Sequence, residues 1–263
     1  MGDSAEAPDD APAILAYKAA SPSKFSVKSR FLLPRDTDEN EFRLTREVIR
    51  SGALRDYIRA NNPGQPVWSD EQLEASWRET LAAHPDPGGE VWVFGYGSLI
   101  WNPAIHYVEQ RIARLHGYHR RFCLWTHLGR GTPERPGMML GLEPGGSCVG
   151  MAFRIAAGSV AEEIGIVWRR EMFGGAYRAR WVRLATGDGP VDGITFLIEP
   201  AHPRYAGRPP EAEVVAALAH AEGPLGTTRA YLDNTLAHLA EYGIRDRPLT
   251  RLQRLAAREA GEA

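Results

Sequence analysis

Residues 91–103 read VWVFGYGSLIWNP, and the texture of the chain changes there. Val91-Trp92-Val93-Phe94 is an unbroken apolar run of strand formers, as expected of a buried strand. Gly95-Tyr96-Gly97-Ser98 interrupts it, Leu99-Ile100-Trp101 is apolar again, and Asn102-Pro103 closes the stretch. Downstream lie further short strand-like runs at 111–126, 137–143, 148–155, 176–186 and 191–199. Helical spacing appears only at 159–173, 211–221 and 228–242. Many short strands with few interleaved helices predict an α+β fold, a small mixed, largely antiparallel β-barrel with packed helices, rather than a doubly wound parallel sheet.

Upstream the reading is different. Residues 1–38 are rich in Ala, Pro, Ser and Asp without a sustained period and read as a flexible tail. Over 39–89, Phe42, Leu44, Val48, Leu54, Tyr57 and Ile58 recur at helical spacing up to a break at Asn62-Pro63-Gly64. A further helix starts at Ser69, where Ser69 and Gln72 have capping-box spacing, and carries Leu73, Trp77 and Leu81 on one face. This helical N-terminal extension precedes a main domain over 90–245, and 246–263 reads as a terminal helix or tail. The amphipathic stripes of the extension are expected to dock on the main domain.

The chain has 263 residues, 31 Lys and Arg against 33 Asp and Glu, and a formal net charge of -2. That balance gives no electrostatic reason to expect nucleic acid or an anionic membrane as partner, and points to a small ligand. The two cysteines, Cys123 and Cys148, sit in apolar strand-like runs and read as buried thiols of a reducing compartment. The N-terminus lacks the basic and apolar regions of a signal peptide, and no apolar run approaches a membrane span, so a cytoplasmic protein is expected.

The glycine-bearing loop fails three phosphate-binding or nucleophile templates. A dinucleotide fingerprint would need Gly at position 100, a P-loop would need Gly-Lys-Ser/Thr, and a nucleophile elbow would need Gly at 96 and 100. Two readings stay open. One is a plain bulge or tight turn; the other is a cradle in which Gly95 and Gly97 allow close approach of a ligand to backbone N–H groups, with Tyr96 and Ser98 adding hydroxyls.

A second stretch, SVAEEIGIVWRREMFGGAYR (159–178), reads as a helix with a capping-box start at Ser159 and Glu162 and a stop at Phe173-Gly174-Gly175. Val160, Ile164, Val167 and Trp168 define its buried face, and the next position on that face is Glu171. A carboxylate there must be paired or protonated. Burial and the helix C-terminus would raise its pKa and suit it to proton transfer; pairing with Arg169, Arg170 or Arg178 would make it structural instead. His116 and His119, three apart in a strand, should face opposite ways and not form a metal pair. The arginines of YRARWVR (177–183) read as a solvated strand face.

With these stretches in hand the chain resembles the ChaC-like family of glutathione-specific γ-glutamylcyclotransferases. The resemblance rests on VFGYGSLIWNP (93–103), RRFCLW (120–125), RGTPERPG (130–137), GMAFRI (150–155), WRREMFGGAY (168–177) and GPLGTTRAYL (223–232), which follow one another in the family's order. It implies cleavage of glutathione to 5-oxoproline and cysteinylglycine with no metal or organic cofactor. It implies that Glu171 is the catalytic acid/base, and that the loop Gly95, Tyr96, Gly97, Ser98, Leu99 and Ile100 binds the γ-glutamyl group. Tyr205 and Tyr231 match positions of substrate-contacting tyrosines. Arg169 stands where bacterial members often carry Lys. Other γ-glutamyl amino acids or amines as substrate, or a non-catalytic binder of γ-glutamyl peptides with Glu171 as a counter-charge, remain the competing readings.

Overall fold

The structure, a computed structural model, describes residues 44–61 and 66–262. The tail expected over 1–38, the helical position of Phe42 and the break at Asn62-Pro63-Gly64 lie outside the described residues.

Five strands close a barrel: β1 (Trp92–Gly95), β2 (Glu109–Thr126), β3 (Gly137–Arg154), β4 (Tyr177–Thr186) and β5 (Val191–Ile198), in the spatial order β1-β3-β2-β4-β5. β1 and β5 pair in parallel to shut it, while the other pairings are antiparallel. The mixed, largely antiparallel barrel expected from the strand pattern is therefore the observed one. The two runs read separately at 137–143 and 148–155 are a single strand, β3, paired along its length with β2. Pro144 and the following glycines lie between those runs, and the ladder absorbs them as an irregularity opposite Gly117, with Gly117, Gly145 and Gly146 all at positive φ.

Val93 and Phe94 of β1 are fully buried, and Phe122, Leu140, Phe153 and Phe196 from the other strands join them in one core. Burial of such side chains is worth roughly 1.5–3 kcal/mol each. Arg178, Arg180 and Arg183 of β4 face solvent, as the sequence pattern indicated. Cys123 and Cys148 are both buried and free.

The upstream helical stretch is two helices, α1 (Arg46–Ser51) and α2 (Ala53–Asn61), because Gly52 adopts the left-handed conformation at φ 79° and caps α1. The spacing of apolar residues passes through that break unchanged, so periodicity did not reveal it. α3 (Asp70–Ala82) has the capping box read at Ser69 and Gln72. Leu73 of α3 is buried, Trp168 Nε1 donates to Ser76 Oγ at 3.2 Å, and Trp181 Nε1 donates to the Thr80 carbonyl at 2.7 Å. Docking of this part of the extension on the barrel is thus direct.

The short α4 (Ser98–Trp101) follows β1 at once, and α5 (Val160–Glu171) follows a 3-10 turn at Ala157–Ser159. The capping box expected at Ser159 is not formed. Ser159 belongs to the preceding turn, donating its N–H to Ala156 O, and its φ of -114° and ψ of 2° hold its hydroxyl away from the helix N–H groups. α6 (Glu211–His220), α7 (Thr228–Glu241) and α8 (Arg247–Glu259) pack together beside the barrel, with Leu249 and Ala256 of α8 buried. Among the described residues no helix is long and apolar enough to cross a membrane.

Candidate active site

A cavity of about 160 Å³ opens where β1 runs out, bounded by Tyr96, Gly97, Ser98 and Leu99 on one side and by Glu171 and Tyr231 on the others. The chain turns here because β1 ends at Gly95 and α4 begins at Ser98, leaving two residues to make the bend. Neither glycine needs a positive φ; space explains them. A Cβ on Gly95 would stand 2.8 Å from Leu99 Cβ, and one on Gly97 would stand 2.6 Å from the Tyr231 hydroxyl. Ile100 N–H is hydrogen-bonded to Gly97 O, and the amides of Ser98 and Leu99 ahead of it occupy the first turn, where a helix offers no internal acceptors.

The hydroxyls of the loop have assigned work. Tyr96 Oη donates to Phe196 O at 2.8 Å, tying the loop to β5. Ser98 Oγ accepts from Arg170 Nη2 at 2.7 Å, which makes it a link to α5.

Arg170 is the centre of that link. Its Nη1 donates to the Asn102 carbonyl just past α4, and its Nε lies 2.9 Å from Glu171 Oε1. Glu171 therefore meets the loop through one guanidinium. The other candidate partners are engaged elsewhere: Arg169 pairs with Asp70 at 3.1 Å, and Arg178 lies 3.9 Å from Glu199. Burial pushes the Glu171 carboxyl above its ordinary value of 4.5, and the Arg170 charge opposes the rise. The side chain keeps 16% of its exposure, on the cavity side.

Around this acid stand three phenols. Tyr96, Tyr177 and Tyr231 all have pKa values raised by burial, with the Glu171 charge adding to the effect, and Tyr231 is pushed up to about 12. All three stay neutral at physiological pH and can act only as hydroxyls. Tyr177 Oη donates to Leu140 O at 3.0 Å, and the Tyr231 hydroxyl meets the Leu140 N–H. Positive charge lines the cavity as well: Arg130 lies 5.6 Å from the Tyr231 ring centre with Nη1 bonded to Thr227 O, and Arg204 donates to Trp125 O at 2.7 Å.

Of the residues singled out in the sequence, Tyr96, Gly97, Ser98, Leu99, Glu171 and Tyr231 come together around the cavity. Gly95 and Ile100 are buried behind it and shape the bend instead of lining it. Tyr205 also lies off the cavity; its hydroxyl donates to Glu143 Oε1 at 2.6 Å.

Sequence reasoning gave no role to Arg120, Tyr177, Arg130 or Arg204. Arg120 is 8% exposed, donates to Tyr96 O at 2.6 Å, and its Nε lies 3.0 Å from Asp246, the N-cap residue of α8. It grips the loop from beneath. The signal was present, because Arg120 alternates in phase with Phe122, so a charge sits on the inward face of a strand. The helix held a second surprise. α5 buries Glu163 to 1% exposure, where it accepts from Arg46 Nη1 at 2.5 Å and from His106 N–H at 2.9 Å.

A family model described as "ChaC-like protein" matches residues 91–259. The chain is 44% identical over 182 residues to the glutathione-specific γ-glutamylcyclotransferase of Escherichia coli (strain K12), covering 68% of this chain and 78% of that one. It is 31% identical over 147 residues to glutathione-specific γ-glutamylcyclotransferase 1 of Danio rerio, covering 54% of this chain and 75% of the relative. A crystal structure of a glutathione-specific γ-glutamylcyclotransferase from yeast superposes with a TM-score of 0.60 at 22% identity, over 64% of this chain and 96% of that one, a likeness of fold.

Proposed function

The chain belongs to the ChaC-like family, and from that membership we propose that it is a γ-glutamylcyclotransferase that cleaves glutathione to 5-oxoproline and cysteinylglycine. One observation supports the chemistry above the others: a desolvated carboxylate, Glu171, borders the same cavity as the Gly97–Leu99 loop and is joined to it through Arg170 and Ser98.

The reaction is an internal aminolysis. The α-ammonium of the glutamyl unit gives a proton to Glu171, and the freed nitrogen attacks the γ-amide carbonyl carbon. A five-membered ring forms as the bond to the cysteinyl nitrogen breaks. Over the whole course the α-nitrogen loses two protons and the departing nitrogen gains two, so neither water nor net acid is consumed. A carboxylate whose pKa burial has raised is suited to both halves of this transfer, as proton acceptor first and donor afterwards.

Holding the substrate folded supplies much of the rate, since well-oriented intramolecular reactions reach effective molarities of roughly 10⁵–10⁸ M. Small-molecule pockets commonly enclose roughly 300–1,000 Å³. At about 160 Å³ this cavity seats the γ-glutamyl half, with the rest of the tripeptide at the mouth. Loop N–H groups and the Tyr231 hydroxyl face the carbonyl oxygen as it takes up charge, and Arg130 and Arg204 offset the substrate's carboxylates. A cytoplasmic setting is part of the proposal; two free, buried thiols fit a reducing compartment.

The test is release of 5-oxoproline and cysteinylglycine from glutathione by the purified chain, followed by mass spectrometry, beside Glu171→Gln. Loss of an acid/base group lowers kcat roughly 10²–10⁴-fold. The variant should still bind glutathione in calorimetry. Wild-type turnover with an equally active Glu171→Gln would remove Glu171 from the mechanism.

A further inference from the structure

The family model matches residues 91–259, yet the cavity that Glu171 borders is also walled by Leu44, Leu54 and Ile58 from the helical extension. We infer that Leu44 and α2 form the leaving-amine subsite, an apolar wall that selects γ-glutamyl compounds carrying an apolar or thiol-bearing side chain next to the scissile amide. The inference rests on the cyclotransferase reading.

Tyr177, Leu140 and Phe196 are barrel residues, Tyr96 follows β1 directly, and all four line the cavity. The extension approaches from outside the barrel, so it meets whatever projects from the γ-glutamyl unit toward the mouth. Leu54 and Ile58 are one turn apart on α2 and present the same face, while Asp56 and Arg59 pair with each other at 3.2 Å on an exposed face. A methylene-and-thiol side chain can exchange water for that apolar face; a bare glycyl residue cannot.

The wall is also anchored, as a specificity element must be. Asn102 Nδ2, one residue beyond α4, donates to Leu44 O at 2.9 Å. Arg46 Nη1 donates to Ala104 O at 3.3 Å and to the buried Glu163 at 2.5 Å. Farther along, Arg55 pairs with Asp70 at 2.7 Å, and Asp70 in turn pairs with Arg169 beside the Arg170–Glu171 pair. α1 and α2 are thus tied to the segments that carry the loop and the acid, and the wall stands at a fixed distance from both.

The experiment compares kcat/KM for glutathione and for γ-glutamylglycylglycine, which lacks the central side chain, using the full chain and 5-oxoproline release. The unaltered protein prefers glutathione, and Ile58→Ser lowers that preference about 10-fold. If Ile58→Ser does not fold, as judged by circular dichroism, Ile58→Val removes a single carbon and lowers the ratio about fourfold. Ile58→Trp, which fills the mouth, depresses glutathione turnover more than that of the glycyl analogue. An unchanged ratio in folded variants, or no preference in the unaltered protein, overturns the wall while leaving the cyclotransferase reading intact. Release of 5-oxoproline from neither compound overturns both.

Discussion

Replacing Gly97 by Ala tests whether the loop glycine is required for space. The new Cβ would lie 2.6 Å from Tyr231 Oη and 3.7 Å from Leu140 Cδ1. A carbon and an oxygen approach comfortably to roughly 3.3 Å, so the hydroxyl must retreat by about 0.7 Å. Tyr231 is 2% exposed, with its ring edge-on to Trp101 and Phe122 at 6.3 and 6.2 Å, and it cannot swing aside. Overpacking of this kind costs about 1–3 kcal/mol. Tyr231→Phe alone removes the partner of the Leu140 N–H and costs about 1–2 kcal/mol. The double variant has no oxygen to strike, and the next ring atom, Cζ, stands at an ordinary 3.7 Å from the added carbon. Its stability in urea denaturation should therefore match Tyr231→Phe alone, a coupling of at least about 1 kcal/mol. Strict additivity of the two single changes would return the glycine's role to backbone conformation. Gly97→Ala should also lower kcat about 10²-fold by displacing the loop from the reacting carbonyl.

Two further outcomes follow from the charges. Because burial raises the Glu171 pKa, its proton-accepting form appears only above the ordinary 4.5, and kcat/KM should climb with pH through that higher value. The same raised pKa opposes stability: the cost of ionising Glu171 in the folded state begins as pH passes the unfolded value and is complete above the folded one. Arg170 holds the pKa down, so Arg170→Gln should move the acidic limb of the profile to higher pH; a shift the other way, or none, rejects the pairing as the restraint. Arg46→Ala strands the Glu163 carboxylate, which among the described residues keeps the His106 N–H and ring, and should cost about 3 kcal/mol in thermal or urea unfolding, whereas a loss under about 1 kcal/mol would mean that the clamp is not formed.

The part of this arrangement legible in the sequence is the part encoded by local period. Glu171 stood out because it continues an apolar helical face, and the loop stood out because its glycines end an apolar strand. Glu163 did not stand out, since its partner Arg46 is 117 positions away and no local pattern joins them. Gly52 breaks a helix whose apolar spacing continues across it, so the break depends on the backbone conformation of one residue. The unity of β3 was hidden for the opposite reason: Pro144-Gly145-Gly146 has the composition of a turn, but pairing with β2 on both sides overrides it. Ser98 and Tyr96 were recognised as loop hydroxyls, yet their partners, Arg170 and Phe196 O, follow only from closure of the barrel.

The two buried cysteines carry a consequence for an enzyme proposed to work on a thiol. Wherever such a thiol and its disulfide are both present, an exposed thiolate would exchange with the disulfide form. Cys123 is fully buried, and desolvation pushes its pKa up to about 12, so its thiol stays protonated at neutral pH. Burial raises Cys148 in the same direction. The protein's own sulfur is thereby insulated from the redox state of the thiol pool, and its turnover should follow the concentration of the reduced compound without being capped by it.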